Sequence, residues 1–417
     1  MTKDEYKEKL SWLDDIPRTW GVRPFASVAR ERSTKGSAGE LLSVYLDRGV
    51  IKASEGSLGT HAPSESKDNY QEVRPGDFIM NNQQAWRGSV GVSFEAGIIS
   101  PAYLIFELSE TLDWAYSNYL LRARPMVDQY MLASQGVGSI QRQVHAPSFK
   151  NVLMIVPPLE TQKKIAAFLD EKTASIDKLV EKKEKLIELL REKRQSLVSH
   201  IVTKGLDPKA KMKPSGMDWL GTIPASWGIR RFKFVFNRIQ RPIRETDETI
   251  TAFRDGVVTL RKNRREEGFT FAFKEIGYQG VEVGDFVING MDGFAGAIGI
   301  SDSRGKATPV YTVCEPAEEG ILSEYYSYLL RALALSGYIA SLSRGIRERS
   351  TEFKWEVIGN LKVVLPEYEV QKGIVAYLNA ESVKIISASA LLLSQIEQLK
   401  EYRSSLIYSA VTGKIKI

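Results

Sequence analysis

The sequence predicts an α+β protein made of two pseudo-symmetric domains, each followed by a long helix, with the two helices forming an antiparallel coiled coil. Three observations predict this fold: a repeat with a period of about 208 residues, short β-rich runs followed by helical segments inside each copy, and a helix-forming stretch that closes each copy. Solenoid repeats have periods of only about 20 to 50 residues. The two copies are therefore domains, not units of a stacked array.

The repeat extends along the whole chain. The segment WLDDIPRTWGVRPF from Trp12 returns as WLGTIPASWGIRRF from Trp219, at an offset of 207 residues. Farther on, RPGDFIMNNQQAWRGSVGVS returns as EVGDFVINGMDGFAGAIGIS at an offset of 208, and NYLLRA returns as SYLLRA at 209. Residues 157–205 match residues 366–414 without a gap at 17 of 49 positions. A register that drifts by only two residues indicates duplication.

Each copy has the same order of elements. In the first copy the apolar runs DFIMNN, GSVGVS and AYLIFEL predict strands, LDWAYSNYLLRAR predicts a helix, and VLMIVP predicts a closing strand. The second copy follows with DFVING, GAIGIS, PVYTV, YYSYLLRA and LKVVLP. Strands that precede helices favour an α+β domain with a curved sheet over the alternating pattern of a doubly wound fold.

The closing helices are predicted from composition. Residues 160–203 contain neither proline nor glycine, and residues 369–412 are interrupted only by Gly373. Gly205 and Gly413 are expected to end the two helices. A helix of about 44 residues spans about 65 Å, which is too long for one domain of this size.

Each helix has an apolar seam of coiled-coil spacing, in identical register. The first seam is Ile165, Leu169, Lys172, Ile176, Leu179, Lys183, Leu186, Leu190, Lys193 and Leu197. The second seam is Ile374, Leu378, Glu381, Ile385, Ala388, Leu392, Gln395, Leu399, Tyr402 and Leu406. Matching seams favour packing of the helices against each other. The alternative is that each helix packs across its own domain.

The composition is that of a folded, multi-domain protein. The chain has 417 residues, of which 43% are apolar and 26% charged. The charged start MTKDEYKEKLSWL and the lack of an apolar run of about 18 residues argue against export and membrane spanning, so a cytoplasmic location is expected. The single cysteine, Cys314, forms no intrachain disulfide and is expected to be a small buried apolar side chain.

Several classes of catalytic site are missing from the sequence. There is no G-x-x-x-x-G-K-[ST] nucleotide loop, and the only adjacent prolines, in VPPL, lack the flanks of an amino-methyltransferase loop. We interpret Gly293, Gly296 and Gly299 in DGFAGAIG as hairpin glycines, because no helix directly follows them. Three scattered histidines and one cysteine match no zinc framework. The chain is therefore predicted to be non-catalytic, with no metal site.

A polar loop before each closing strand is the first candidate for DNA recognition. The net charge of +6 and the pI near 9.0 weakly favour a polyanionic partner. In the first copy the candidates are Gln141, Arg142, Gln143 and His145, and in the second copy they are Arg344, Arg347 and Arg349. Arginine pairs with guanine and glutamine with adenine in the major groove, and the two loops differ as two half-sites would require. The alternative is a solvated charged loop.

Two further segments are candidates. The turn between the paired strands contributes Gln83, Gln84 and Arg87 beside Asn81, and it aligns with Asn289, Met291, Asp292 and Ala295 of the second copy. The stretch RKNRREEG supplies Arg261, Lys262, Arg264 and Arg265, which would contact phosphates. A solvated hairpin tip and a solubilising surface are the respective alternatives. The repeated I-P-x-x-W turn, with Trp20 and Trp227, favours structural packing over base stacking.

These motifs together resemble the DNA specificity subunits of type I restriction-modification enzymes, the HsdS family. The motifs are an opening W-L-x-x-I-P-x-x-W, a central G-D-F strand and a P-x-x-x-x-Q-K-x-I-x-x-[FY]-L segment that begins the long helix, all duplicated. Gln162 and Gln371 match the glutamine at the helix start in that family. The resemblance covers essentially the whole chain.

The resemblance implies two target-recognition domains, residues 1–158 and 206–366, and two spacer helices, residues 159–205 and 367–417. Each domain would recognise one half of an asymmetric bipartite DNA site, and the helices would fix the gap between the halves. The N-terminal KEKLSW and the C-terminal TGKIKI correspond to the two ends of the linker between the copies, which implies a circular arrangement.

The resemblance also implies protein partners. Two modification subunits would carry the methyltransferase and S-adenosylmethionine, and restriction subunits would carry the ATP- and Mg-dependent translocase and nuclease, so this chain would hold no cofactor. The paired helices would dock the modification subunits through the repeated pairs Arg194 and Arg403, Glu188 and Glu397, and Ser196 and Ser405. The rival interpretations are a non-catalytic coiled-coil scaffold without DNA sequence recognition and a module that elsewhere is fused to a single-chain methyltransferase-nuclease.

Overall fold

The chain folds into two units, and the boundary between them falls inside both long helices. Unit 1 comprises Met1–Glu184 with Leu393–Ile417, and unit 2 comprises Lys185–Leu392. The structure is a computed structural model that describes residues 16–46, 48–56, 69–135, 142–217, 219–264, 276–342 and 353–417. Each unit holds one α+β domain, called domain 1 in unit 1 and domain 2 in unit 2.

Domain 1 contains a four-stranded antiparallel sheet, in the order β2-β9-β6-β7, and four two-stranded pairs, β1-β12, β3-β4, β5-β8 and β10-β11. Its strands are β1 (Gly21–Pro24), β2 (Ala29–Arg32), β3 (Leu42–Tyr45), β4 (Gly49–Lys52), β5 (Gln71–Val73), β6 (Asp77–Asn81), β7 (Val90–Val92), β8 (Gly97–Ile99), β9 (Tyr103–Leu108), β10 (Ser134–Gln135), β11 (Gln143–Val144) and β12 (Leu153–Val156). Its helices are α1 (Trp114–Arg122), α2 (Arg124–Leu132) and α3 (Ala146–Phe149), and the long helix α4 (Leu159–Lys204) follows.

Domain 2 repeats this topology. Its four-stranded sheet has the order β16-β23-β20-β21, with pairs β15-β24, β17-β18 and β19-β22 and one further pair, β13-β14. The strands are β13 (Met212–Pro214), β14 (Thr222–Pro224), β15 (Gly228–Arg231), β16 (Phe236–Ile239), β17 (Ile250–Ala252), β18 (Val258–Leu260), β19 (Gln279–Val281), β20 (Phe286–Asn289), β21 (Ile298–Ile300), β22 (Gly305–Ala307), β23 (Tyr311–Pro316) and β24 (Lys362–Leu365). The helices are α5 (Ser323–Leu335), α6 (Tyr338–Leu342), α7 (Trp355–Ile358) and the long α8 (Tyr368–Val411). The predicted fold class, two α+β domains each followed by a long helix, is confirmed.

The central strands β6 and β20 carry apolar side chains on both faces, at residues 78–80 and 286–288, because both faces of each sheet are covered. In domain 1, Phe78 and Met80 of β6 pack into the core that contains α1 and α2, whereas Ile79 between them packs under the β3-β4 hairpin. In domain 2, Phe286 and Ile288 of β20 face the helices, and Val287 faces the β17-β18 hairpin. Each domain is therefore three layers deep: helices, sheet and hairpins.

The long helices α4 and α8 extend to within one residue, at each end, of the helix-forming stretches 160–203 and 369–412, whereas the second predicted spacer helix, 367–417, runs six residues past the end of α8. In unit 1 they run antiparallel: Asp177 accepts hydrogen bonds of 2.9 and 3.2 Å from Arg403, and Lys183 donates a hydrogen bond of 2.6 Å to Gln395. In unit 2, Arg194 of α4 donates a hydrogen bond of 3.3 Å to Ser382 of α8. In unit 1, residue numbers rise along α4 as they fall along α8, so the predicted antiparallel pairing is confirmed there.

The predicted seams were wrong at alternate positions, apart from Glu381 and Gln395 of α8, which are half-buried. The main buried and half-buried stripe of α4 is Leu169, Thr173, Ile176, Val180, Lys183, Ile187, Leu190, Arg194 and Leu197, and that of α8 is Leu378, Ser382, Ile385, Ser389, Leu392, Ile396, Leu399, Arg403 and Leu406. From Leu169 in α4 and from Leu378 in α8, the predicted seam continues with a step of three residues and the observed stripe with a step of four. Both registers of α4 are equally apolar, because Val180 and Ile187 take the places of the exposed Leu179 and Leu186. The polar members Thr173 and Arg194 are hydrogen-bonded on the inner face.

The repeated tryptophans pack against the ends of the long helices. Gly205 and Gly413 end the helices in the left-handed conformation, with φ of 80° and 76°. A Cβ at Gly205 would lie 3.2 Å from the Trp227 ring, and one at Gly413 would lie 3.1 Å from the Trp20 ring. The structure therefore confirms packing as the role of these two tryptophans.

One helix in the described part of the chain is long and apolar enough, by length and composition, to cross a membrane. It is α8, which contains an 18-residue window of mean hydropathy 1.2, and 22% of that window is buried. Length and composition alone are weak evidence of a membrane span, since helices of soluble proteins pass the same criterion.

Cys314 lies in β23 and has no exposed surface. Burial raises the pKa of its thiol well above the ordinary value, because the thiolate would lose its hydration. We expect iodoacetamide at pH 8 to label no thiol in the native protein and one thiol per chain after denaturation in guanidinium chloride, as measured by intact mass. Rapid labelling of the native chain would contradict this burial.

Candidate nucleic-acid interface

Two segments that the sequence separates by more than 50 residues meet in domain 1. The turn after β6 contains a 3-10 turn, Ala85–Arg87, and β11 lies beside it. The N–H of Val144 in β11 donates a hydrogen bond of 3.2 Å to the carbonyl of Asn82 in the turn. The predicted turn candidate and the described part of the predicted loop candidate are therefore one surface.

Trp86 lies at the centre of this surface. Its indole Nε1 donates a hydrogen bond of 3.0 Å to the Gln83 carbonyl. The guanidinium carbons of Arg87 and Arg142 each lie 5.8 Å from the indole ring centroid, within the range of cation–π attraction. Arg87 also donates a hydrogen bond of 3.4 Å to Gln84 Oε1. The domain-1 surface is Gln83, Gln84, Trp86, Arg87, Arg142 and Gln143, all of which are exposed or half-buried.

His145 differs from its neighbours in having a structural contact. Its ring Nδ1 lies 3.0 Å from Ser148 Oγ, and its N–H donates a hydrogen bond of 2.9 Å to the Ala133 carbonyl. These bonds hold the start of α3. Gln141, the remaining candidate of this loop, lies outside the described residues.

In domain 2 the turn candidate and the basic cluster meet at the tip of the β17-β18 hairpin, residues 253–256. Arg254 on this tip donates hydrogen bonds of 3.3 Å from Nε and 2.8 Å from Nη2 to Asp292 Oδ1 in the turn. On the other side of the tip, Asp255 accepts a hydrogen bond of 2.6 Å from Arg264, whose guanidinium lies 5.2 Å from the Phe253 ring centroid. The domain-2 surface is Arg254, Asp255, Arg264, Met291 and Asp292.

The described part of the basic cluster is largely balanced by acidic and polar side chains. Lys262 Nζ lies 2.5 Å from a carboxylate oxygen of Glu248, and Arg261 Nε donates a hydrogen bond of 3.2 Å to Thr251. Burial raises the pKa of the Asp255 carboxyl. The hydrogen bonds that this carboxylate accepts from Arg264 and from the Val257 N–H outweigh burial, so its pKa lies below the ordinary value. Fewer unpaired positive charges are therefore available to contact DNA phosphates than the number of basic residues in this segment indicates.

The predicted arginine-rich loop of domain 2 ends beside the same turn. Phe353, the first described residue after it, donates its N–H to the Gly290 carbonyl at 2.8 Å. The candidates Arg265, Arg344, Arg347 and Arg349 lie outside the described residues. In the described part of the chain, no three His, Cys, Asp or Glu side chains are grouped to hold a metal ion.

Three residues of these surfaces, Trp86, Arg254 and Asp255, were not predicted from the sequence. Trp86 has an aromatic counterpart, Phe294, at the 208-residue offset, so a conserved aromatic position in both turns was a usable signal. Arg254 had no such signal, because its partner Asp292 lies 38 residues away and the two meet only through the fold.

Comparison with known proteins gives a sequence match over part of the chain. The type I restriction enzyme MjaVIII specificity subunit of Methanocaldococcus jannaschii is 30% identical over 154 residues, which are 36% of this chain and 34% of that protein. The chain thus matches about a third of the length of this curated relative. No family model matches the chain.

Comparison with solved structures covers nearly the whole chain. A structure from a study of complex assembly and conformational transition of the type I R-M system matches with a TM-score of 0.70 at 16% identity, over 96% of this chain and 99% of the other. The crystal structure of the HsdS subunit from Thermoanaerobacter tengcongensis matches with a TM-score of 0.52 at 16% identity, over 96% and 98%. The chain therefore has the fold of the HsdS specificity subunits, and its predicted resemblance to that family is confirmed.

Proposed function

We propose that this chain is the DNA specificity subunit of a type I restriction-modification complex, and that each domain recognises one half of an asymmetric bipartite site. It directs adenine methylation or restriction by partner subunits and performs no catalysis itself. The observation that carries the proposal is that two copies of one framework present two chemically different polar surfaces.

Key framework residues recur in both copies, whereas several exposed turn residues differ. The buried glutamine at the start of each long helix recurs as Gln162 and Gln371 with matching hydrogen bonds. In the turn, by contrast, Gln84 is replaced by Asp292, and Arg87 by Ala295. A duplicated scaffold has no need for this difference, but a protein that distinguishes two half-sites requires it.

The residue types on the domain-1 surface suit base recognition. Guanidinium groups present paired donors that match guanine O6 and N7, and glutamine amides match adenine N6 and N7. Arg87 and Arg142 are both placed by the Trp86 ring, so less freedom is lost when they bind. Side chains that contact phosphate would position the protein without reading sequence.

Exposed apolar side chains on α8 support a docking surface for protein partners. Val383, Ile386 and Leu391 are each more than half exposed. A contiguous exposed apolar patch is typical of a protein–protein interface. The predicted docking residues Arg194 and Arg403 instead bond to the other long helix. Modification and restriction subunits that carry S-adenosylmethionine, ATP and Mg, and a cytoplasmic location, remain part of the proposal.

The test is genome-wide sequencing of methylated adenine in cells that express the chain with its cognate modification subunits. We expect a bipartite motif with the intact chain. Arg142→Ala should relax one specified position in only one half, because a two-donor contact to a base is lost, with a loss of preference of about 10-fold. The matched control is Arg30→Ala, an exposed arginine on β2 at the opposite edge of the same sheet.

The scaffold alternative gives a different outcome. It predicts no methylated motif with any modification subunit, and no DNA binding by the purified complex that weakens as salt rises. Either the absence of a methylated motif or the absence of salt-sensitive DNA binding would contradict the proposed function. Equal relaxation of the motif in Arg30→Ala and Arg142→Ala would show that the domain-1 surface is misplaced.

A further inference from the structure

We propose that Arg254, held in place by Asp292, reads a guanine in the half-site of domain 2. This inference rests on the proposed function and assigns a base contact to a residue outside the predicted recognition segments. The inference depends on one contact: the carboxylate of Asp292 on the turn orients the exposed Arg254 on the neighbouring hairpin tip.

The pair is exposed, which argues against a role in stability. The Arg254 side chain is 67% exposed and that of Asp292 is 40% exposed. Ion pairs this exposed contribute little to folding, because water screens the charges and the long side chain must be ordered. A bond that orders an arginine in solvent is explained better by what the arginine then contacts.

The backbone on both sides of the pair is fixed. In the turn, Asn289 Oδ1 accepts hydrogen bonds from the N–H groups of Met291 and Asp292, at 3.0 and 3.3 Å. In the tip, the N–H of Gly256 donates a hydrogen bond of 2.8 Å to the Phe253 carbonyl. Asp292 is thus held on a rigid turn, and it orients Arg254 on a rigid tip.

The remaining donors of Arg254 determine the base. Nε and one hydrogen of Nη2 are used on Asp292 Oδ1, and no other partner of this guanidinium occurs among the described residues. The outer edge therefore presents two parallel N–H donors, which match the O6 and N7 acceptors of guanine. Adenine, with a donor at N6, does not match this edge.

Domain 1 lacks this pair. At the 208-residue offset, Leu46 stands in place of Arg254 and Gln84 in place of Asp292. Gln84 instead accepts a hydrogen bond from Arg87, which lies on the turn itself. In both domains a polar residue of the turn orients an arginine. In domain 1 that arginine, Arg87, belongs to the turn itself, whereas in domain 2 it is Arg254 of the hairpin tip. The two domains would then place the guanine contact at different positions of their half-sites.

The experiment first determines the motif of the intact complex by methylation sequencing, and then measures binding of the purified complex to duplexes with each of the four bases at each specified position. Arg254→Ala is expected to remove the preference for guanine at one position of one half, by about 10-fold or more, and to leave the other half unchanged. Arg254→Lys should have the same effect, because lysine keeps the charge but not the two parallel donors. Arg238→Ala, an exposed arginine on the opposite edge strand β16, is the control.

Three outcomes would overturn the inference. They are an unchanged motif in Arg254→Ala, a uniform loss of affinity for all sequences, and a full guanine preference in Arg254→Lys. The thermal unfolding midpoints of the variants show that the domain is folded. Failure of the proposed function would be distinguishable, since the intact complex would then have no bipartite motif.

Discussion

Gln371→Ala is expected to lower the stability of the protein by about 2 to 4 kcal/mol, because it truncates a buried side chain and removes the partner of three backbone groups, of which that of Pro366 is buried. The side chain has no exposed surface. Its Oε1 accepts a hydrogen bond of 2.9 Å from the Leu322 N–H, and its Nε2 donates to the carbonyls of Gly320 at 3.1 Å and Pro366 at 2.9 Å. These bonds join the start of α8 to the segment before α5 and to the end of the closing strand.

The measurement is urea unfolding followed by far-ultraviolet circular dichroism. Gln398→Ala on the same helix is the matched control, because that side chain is exposed, and its midpoint should stay close to that of the parent protein. Gln371→Glu should also be destabilising, since a carboxylate cannot donate to the two carbonyls. A Gln371→Ala variant as stable as Gln398→Ala would disprove the structural role.

Duplication made most of the framework predictable. Each element that the sequence indicated in one copy had an independent second occurrence, so the G-D-F strands, the helix-start glutamines and the terminal glycines of the long helices were all correctly placed. The short hairpins β3-β4 and β17-β18 were not predicted, because strands of three or four residues give too little alternation to distinguish them from loops.

The helix seam shows where apolar spacing fails. Leu179 and Leu186 fit the spacing as well as Val180 and Ile187 do, yet the inner face carries the latter pair together with the polar Thr173 and Arg194. Thr173 is within 3.1 Å of the Tyr119 hydroxyl, and Arg194 bonds to Ser382. A pattern based on hydrophobicity alone cannot identify a polar side chain whose partner lies on another element.

The recognition surfaces were predictable by residue type but not by grouping. The turn with Gln83 and the loop with Arg142 were separate candidates, and only the fold shows that Trp86 brings them together. The Arg254 contact depends on a hairpin tip and a turn from different strands, which no local pattern connects. Surfaces of this kind arise from tertiary structure, so sequence alone gives their ingredients and not their geometry.

Gly299→Ala is expected to lower the stability of the protein by about 3 kcal/mol and to disturb the domain-2 surface. A Cβ at this position in β21 would lie 2.0 Å from the carbonyl oxygen of Gly256 on the hairpin tip, so the tip must move away from the sheet. The tip also carries Arg254, so the guanine preference assigned to that residue should weaken with it. Thermal unfolding and the duplex-binding measurement report the two effects separately.

Gly373→Ala is the control variant, and it is expected to raise the stability of the protein and not to lower it. Gly373 lies inside α8, and among the described residues outside the helix backbone an added Cβ would meet only Leu206 Cδ1, at 3.8 Å, which is an ordinary contact. Because glycine costs a helix interior about 1 kcal/mol relative to alanine, this variant should be more stable by about that amount, with an unchanged DNA motif. If both substitutions shifted stability in the same direction, the close approach of the hairpin tip to β21 would not be the reason that position 299 is a glycine.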